Sequence, residues 1–191
     1  MASLTLDPVT TALVLIDLQR GITSIDTKPH SAAEVIGNAA QLASRFRERG
    51  ALVVLVNVDP GPGGVLTPRP IADVQRPPFT PTPGWADIVP ELHAAESDVR
   101  VTKHQPGAFH ATDLDLQLRR RRVDTIAIGG ISTNVGVEST ARAGYDLGYN
   151  VVFVEDAMAA RDADFHAFAV TRYFPTIGRV RSTRDVLDAL R

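Results

Sequence analysis

Unbroken apolar runs alternate along this chain with stretches in which apolar side chains return every three or four positions. The first run, residues 11–17, reads Thr-Ala-Leu-Val-Leu-Ile-Asp and closes on a carboxylate. Runs over 51–59, 99–103, 124–129 and 150–156 follow, with a weaker sixth over 176–181. A strand with one wet face alternates apolar and polar residues, whereas a strand covered on both faces is apolar throughout. The runs therefore predict a mainly parallel sheet of about six strands with helices on both sides.

The intervening segments supply those helices. Val35, Ile36, Ala39, Leu42, Ala43 and Phe46 recur at helical spacing, with Ser31 as N-cap and Gly50 as terminator. Thr112 with Asp115 approximates a capping box for the next long helix. A helix opening near Asn134 ends at Gly148, and Ser182 or Thr183 caps a final helix carrying Val186, Leu187 and Leu190. Strand–helix alternation of this kind implies a three-layer α/β/α fold. With no internal repeat, residues 1–191 read as a single domain.

One segment breaks the rhythm. Nine of the 13 prolines fall from Pro60 to Pro90, accompanied by Gly61, Gly63, Gly64 and Gly84. Long irregular segments in compact domains are commonly functional, and this one leaves the end of a strand. Two readings are open: a rigid excursion or subunit contact, and a lid or pocket wall containing Phe79 and Trp85.

Composition narrows the function classes. Apolar residues make up 44% of the 191 and charged residues 22%, ordinary values for a globular protein. The formal net charge of -2 gives no electrostatic reason to expect nucleic acid or an anionic membrane as partner. Four consecutive arginines at 119–122 follow Asp113 and Asp115 on one predicted helix, an order that complements the helix dipole and reads as a solvated helix end. There is no cysteine, hence no disulfide, thiolate metal site or thiol nucleophile. The first eight residues lack a basic region followed by an apolar run, and no stretch approaches the roughly 18 apolar residues of a membrane span. A cytoplasmic protein is expected.

Ligands of open α/β sheets bind beyond the carboxyl ends of the strands. Asp17 stands at one such end, where desolvation raises a carboxylate's pKa unless a cation is near; capping the following turn is the simpler role for it. Lys103 ends the third run, either as a solvated terminus or as the charge partner of Asp17. Gly136 lies in the first turn of the helix that Ser132, Thr133, Asn134 and Val135 open. Free amides there can hold an oxyanion, and a glycine lets a ligand approach the backbone; a packing glycine is the alternative. Gln19 and Arg20 line the site or the surface, Phe109 is a pocket wall or a core aromatic, and Glu138 with Arg142 fits a surface ion pair.

Taken together, Leu-Ile-Asp-Leu-Gln around Asp17, Lys103 followed by Gly107-Ala108-Phe109, and residues 130–142 resemble the isochorismatase-like hydrolases in order and spacing from about Thr11 to Ala157. Cysteine hydrolases of that group use Asp as base, Lys as its electrostatic partner and Cys as nucleophile, with a non-proline cis peptide before the nucleophile turn. The resemblance assigns these roles to Asp17, Lys103 and the position of Gly136, and the cis peptide to Ile131–Ser132. It also implies a Rossmann-like sheet, a small-molecule substrate and a homo-oligomer, dimer or tetramer. Nicotinamidases of the group hold a metal through Asp-x-His after the second strand. Here that place reads Asp59-Pro60-Gly61, and the five histidines, His30, His93, His104, His110 and His166, show no ligand spacing. No metal and no other cofactor is expected.

Glycine at the nucleophile position rules out the thiol route. True isochorismatases resemble this chain in carrying glycine there; they hydrolyse a vinyl ether, which needs a protonatable Asp and water. The reading that follows is a Cys-independent hydrolase with Asp17 as general acid/base, Lys103 as partner and anion holder, and substrate contacts from Gln19, Phe109, Ser132, Thr133, Asn134 and Val135. A non-catalytic small-molecule binder or assembly subunit is the alternative.

Overall fold

The structure, a computed structural model, describes residues 4–74 and 79–191. Six strands form one sheet: β1 (Thr11–Ile16), β2 (Leu52–Val58), β3 (Val99–Lys103), β4 (Thr125–Ile131), β5 (Asn150–Ala159) and β6 (Arg179–Arg181). Their order is β3-β2-β1-β4-β5-β6, and every neighbouring pair is parallel. The chain builds outward from β1 in one direction, then returns to β1 and builds outward in the other. This reversal lies between β1 and β4, where the connecting segments diverge and leave a crevice.

The two-residue period of a strand divides the core into two layers. On β1, Leu13 and Leu15 pack with Val35, Ala39, Leu42 and Phe46 of α2 (Ala32–Glu48) and Val186 of α7 (Thr183–Ala189). Ala12, Val14 and Ile16 face the other way, against Leu114 and Leu118 of α3 (Leu114–Arg120) and Ala141 of α4 (Glu138–Asp146). All these side chains are buried. Each large one contributes about 1.5–3 kcal/mol of transfer free energy.

Local signals set the helix ends. Ser31 and Glu34 form a reciprocal capping box, as do Ser182 and Asp185. Arg49 and Gly50 close α2, and Gly148, at φ +86°, follows the last turn of α4. The box expected at Thr112 and Asp115 does not form. The N-cap of α3 is Asp113, whose side chain makes no capping bond. Thr112 instead donates to the Ala108 carbonyl, and Asp115 accepts from Tyr149 Oη at 2.7 Å.

The chain departs from the expected pattern again before β6. Short α5 (Ala163–Phe168), a π-helical turn over Ala169–Tyr173 and α6 (Phe174–Ile177) run in succession. Phe174 stacks on Phe153 of β5 with ring centroids 3.9 Å apart, which draws 174–177 into a helix and leaves only residues 179–181 for the strand. A four-residue helix, α1 (Arg20–Thr23), follows β1. The arginine run at the end of α3 is exposed, with Arg119 over the Tyr149 ring and paired to Asp115. No described helix is long and apolar enough to cross a membrane.

Candidate active site

Asp17 is the first residue past β1. Its backbone turns to φ 55°, a left-handed conformation uncommon for a residue with a Cβ, while its amide still bonds to the Val56 carbonyl of β2 at 2.8 Å. The carboxylate is thereby directed into the crevice between β1 and β4. Lys103, the last residue of β3, crosses beneath the end of β2 and places Nζ 2.7 Å from Asp17 Oδ2. The ammonium also donates to the Pro106 carbonyl at 2.8 Å. Lys103 is 1% exposed and Asp17 5%, so the pair is held out of water.

Removing two ions from water is costly, and the attraction between them repays it only with further hydrogen bonds. Asp17 Oδ2 has Lys103, but among the described residues no donor reaches the buried Oδ1. Burial pushes the Asp17 carboxyl up from 3.8 to about 6, against the charge and hydrogen bond of Lys103, which pull it down. The outcome is a carboxyl that both takes up and releases a proton near neutral pH, with one oxygen free.

Gly136 borders this pair. A Cβ at that position would lie 2.8 Å from Asp17 Oδ2, 2.8 Å from Ile16 Cγ2 and 3.3 Å from Lys103 Nζ. Sequence positions far apart thus meet at one point, packed so closely against the Gly136 backbone that no side chain fits between them. Gly136 lies in a π-helical turn over Thr133–Val137 that precedes α4, and the Ile131–Ser132 peptide before it is cis, as the resemblance implies. The Ser132 carbonyl accepts the amides of Val135 and Val137 at 3.1 and 3.2 Å. The Val135 amide, one of the donors expected to hold an anion, is therefore occupied within the turn.

The remaining candidates divide. Ser132 and Asn134 are half-buried on the turn and Val135 is exposed. Thr133 is buried, with Oγ1 2.9 Å from His166 Nδ1. Gln19 is buried and its amide is fully engaged: Oε1 accepts from the Val58 amide at 2.7 Å, while Nε2 donates to Val58 O and Trp85 O at 3.0 and 3.3 Å. It fastens the end of β2 and the far end of the Pro-rich excursion beside Asp17. Phe109 packs into the core, stacked on Tyr149 at 5.7 Å and against Gly144. Arg20 is exposed, and Glu138 pairs with Arg142 at 2.8 Å on the surface of α4.

Two groups at the site escaped the sequence reading. Thr140 of α4 donates to the Gly136 carbonyl at 2.7 Å and accepts the Ala108 amide at 3.0 Å, joining the loop after Lys103 to the turn that bears Gly136. A threonine one helical turn after a glycine carries no distinctive sequence signal. The second is a trio behind the turn. His30, Glu155 and His166 bring three metal-ligating atoms within 4.8 Å of one another, although nothing in their sequence spacing unites them. In the excursion, Trp85 lies against Gly21 and its ring meets Phe79 at 5.2 Å, so this aromatic pair covers α1. Residues 75–78 of that segment lie outside the described residues.

Comparison with known proteins places the geometry in context. A family model described as the isochorismatase domain matches residues 11–185. The isochorismatase family protein YecD of Escherichia coli O157:H7 is 44% identical over 98% of this chain and all of its own length. YwoC of Bacillus subtilis, another isochorismatase family protein, is 42% identical over the whole of both chains. The solved structure of an isochorismatase family protein from Burkholderia thailandensis superposes with a TM-score of 0.94 at 44% identity, covering 99% of each chain. At greater distance, a streptothricin hydrolase of Streptomyces noursei is 32% identical over 79% of this chain and 50% of its own length.

Proposed function

The chain belongs to the isochorismatase family, a family of hydrolases, and from that premise we propose that it hydrolyses a small carboxylated substrate without a covalent enzyme intermediate. The observation that carries this reading is the Asp17 carboxyl packed against the Gly136 backbone, with its buried Oδ1 unpartnered among the described residues. No side chain at position 136 is able to attack a carbonyl. A carboxyl held at about 6 is suited to proton transfer, because both of its protonation states are populated at working pH.

A carboxylated vinyl ether such as isochorismate fits these groups. Asp17 gives its proton to the terminal enol carbon, and the ether oxygen stabilises the cation that results. Water adds to the cationic carbon and returns a proton to the Asp17 carboxylate. The hemiketal then opens to a keto acid and an alcohol. Lys103 holds the Asp17 anion between the two proton transfers and adds positive charge for the substrate carboxylate. The amides of Asn134 and Gly136, at the start of the turn, provide further donors.

The test is a thermal-shift screen of carboxylated enol ethers and amides, with mass analysis of each hit. A hydrolysed enol ether is the expected outcome, and Asp17→Asn then lowers kcat/KM by about 10²–10⁴-fold. Full activity in Asp17→Asn would end this mechanism. A ligand that raises the melting temperature and is recovered unchanged would instead favour a binding protein.

A further inference from the structure

We propose that His30, Glu155 and His166 form a binding site for one divalent transition-metal ion, with zinc as the reference ion. The site stands apart from the Asp17–Lys103 pair and does not depend on the hydrolytic reading. His30 Nε2 lies 2.9 Å and His166 Nε2 3.2 Å from the same oxygen, Glu155 Oε1. Ligands bound at 2.0–2.2 Å to one tetrahedral ion sit about 3.4 Å apart, so these two contacts open by a few tenths of an ångström on coordination while the two imidazole nitrogens, within 4.8 Å of each other, settle around the ion. Two imidazoles and one carboxylate are a donor set suited to Zn²⁺ and its neighbours rather than to Ca²⁺ or Mg²⁺.

The three ligands come from separate elements that are individually held. Glu155 is on β5. His30 follows a segment tied to the end of that strand, since Lys28 and Ala160 exchange backbone hydrogen bonds of 2.7 and 2.8 Å, and Thr27 Oγ1 donates to the His30 carbonyl at 2.9 Å. His166, on α5, is buried, and its Nδ1 meets Thr133 Oγ1 at 2.9 Å. A hydroxyl or carbonyl on the second ring nitrogen of a metal-binding histidine fixes the tautomer that turns the other nitrogen's lone pair to the ion. The edge-to-face setting of the two rings, at 83°, directs both Nε2 atoms at Glu155. His30 and Glu155 are only partly buried, which gives an ion a path in and leaves room for water as a fourth ligand.

Without an ion, the same contacts are satisfied by protons, as each imidazole donates Nε2–H to the carboxylate. Metal binding turns the Nε2 lone pair of each neutral ring to the ion and leaves the ring proton on Nδ1, so it competes with protonation of the rings and weakens as pH falls. Thr133 belongs to the turn that carries Gly136, and an occupied site therefore bears on that turn through one hydrogen bond.

The experiment is equilibrium dialysis of chelator-stripped full-length protein against Zn²⁺, with native mass spectrometry to count ions. One ion per chain is expected. His30→Ala and Glu155→Gln each weaken its binding by about 100-fold or more, and His93→Ala, at an exposed histidine elsewhere, leaves it unchanged. Addition of Co²⁺ to the unaltered protein provides a readout that needs no variant: visible d–d absorption that one equivalent of Zn²⁺ abolishes. Absence of Zn²⁺ binding at 100-fold excess over protein would overturn the proposal. So would binding that survives both His30→Ala and Glu155→Gln, or that His93→Ala removes, because the trio would then be a hydrogen-bonded clip only.

Discussion

Asp17, just past β1, and Glu155, within β5, each lie beside nitrogen donors, yet their carboxyls are displaced in opposite directions. Asp17 has one strong partner, Lys103, and a buried second oxygen that no donor among the described residues reaches; burial wins and the group rises to about 6. Glu155 is half-exposed with two imidazoles on one oxygen; the hydrogen bond from His166, with help from His30, outweighs its smaller desolvation and lowers it from 4.5 to about 2. The contrast is one of hydration and donor count rather than of residue type. A carboxylate left short of donors takes up a proton more readily, and one supplied with two stays ionised.

The sharpest way to break this contrast is to remove the ammonium. Lys103→Met leaves Asp17 as a buried carboxyl without its charge partner, so it drives the group further toward the neutral form and destabilises the fold. A loss of about 3–5 kcal/mol in urea unfolding at pH 8 is expected, shrinking on acidification as Asp17 takes up a proton. A loss that stayed constant from pH 8 to pH 4 would contradict the coupling.

Next in size is the pH dependence of the unaltered protein. The raised Asp17 binds its proton more tightly folded than unfolded, so its contribution is fully present below 3.8 and is lost as pH rises through about 6. A shift of about two units corresponds to about 3 kcal/mol. Glu155 acts in the reverse sense, stabilising above 4.5 and losing that contribution as pH falls toward 2. Comparing stability–pH curves of the parent, Asp17→Asn and Glu155→Gln separates the windows: the first variant flattens the curve between 3.8 and 6, the second below 4.5.

A smaller effect, about 1–3 kcal/mol, is expected from Gly136→Ala, whose Cβ falls closer to Asp17 and Ile16 than van der Waals contact allows. Thermal melts measure it. Gly136→Cys meets the same crowding, so a gain of amidase activity there would show that the crevice relaxes to admit a nucleophile. Least affected is Glu155→Gln at neutral pH, expected to cost about 1–2 kcal/mol because the amide oxygen still accepts from a histidine.

Much of this arrangement was legible from the chain. Four of the five stronger apolar runs became strands because a parallel sheet buried on both faces imposes no alternation, whereas β3, at the edge of the sheet, alternates exposed Arg100 and Thr102 with buried Val101 and Lys103 and still occupies the residues anticipated for it. Asp17, Lys103 and Gly136 were recognisable as the polar or side-chain-free residues that end or follow such runs. What stayed hidden depends on partners distant in sequence. Gln19 reads as a polar residue near a site, and only the fold reveals that its amide is consumed by Val58 and Trp85. Phe109 is indistinguishable from a pocket wall until Tyr149 is found against it. The α5–α6 stretch escaped because Phe165 and Phe168 are exposed, which blurs the helical apolar stripe, and because the Phe153 ring dictates where β6 begins.

The Gln19 amide has a consequence for how this scaffold tolerates change. By gripping Val58 and Trp85 together, one side chain pins both feet of the Pro-rich excursion next to Asp17. Whatever happens between the feet is then insulated from the carboxylate. Doubling the length of a flexible loop adds only about 0.6 kcal/mol of closure entropy. Insertions and deletions in the middle of that segment thus become inexpensive ways to reshape the rim of the crevice, while the Asp17–Lys103 pair beneath keeps its place.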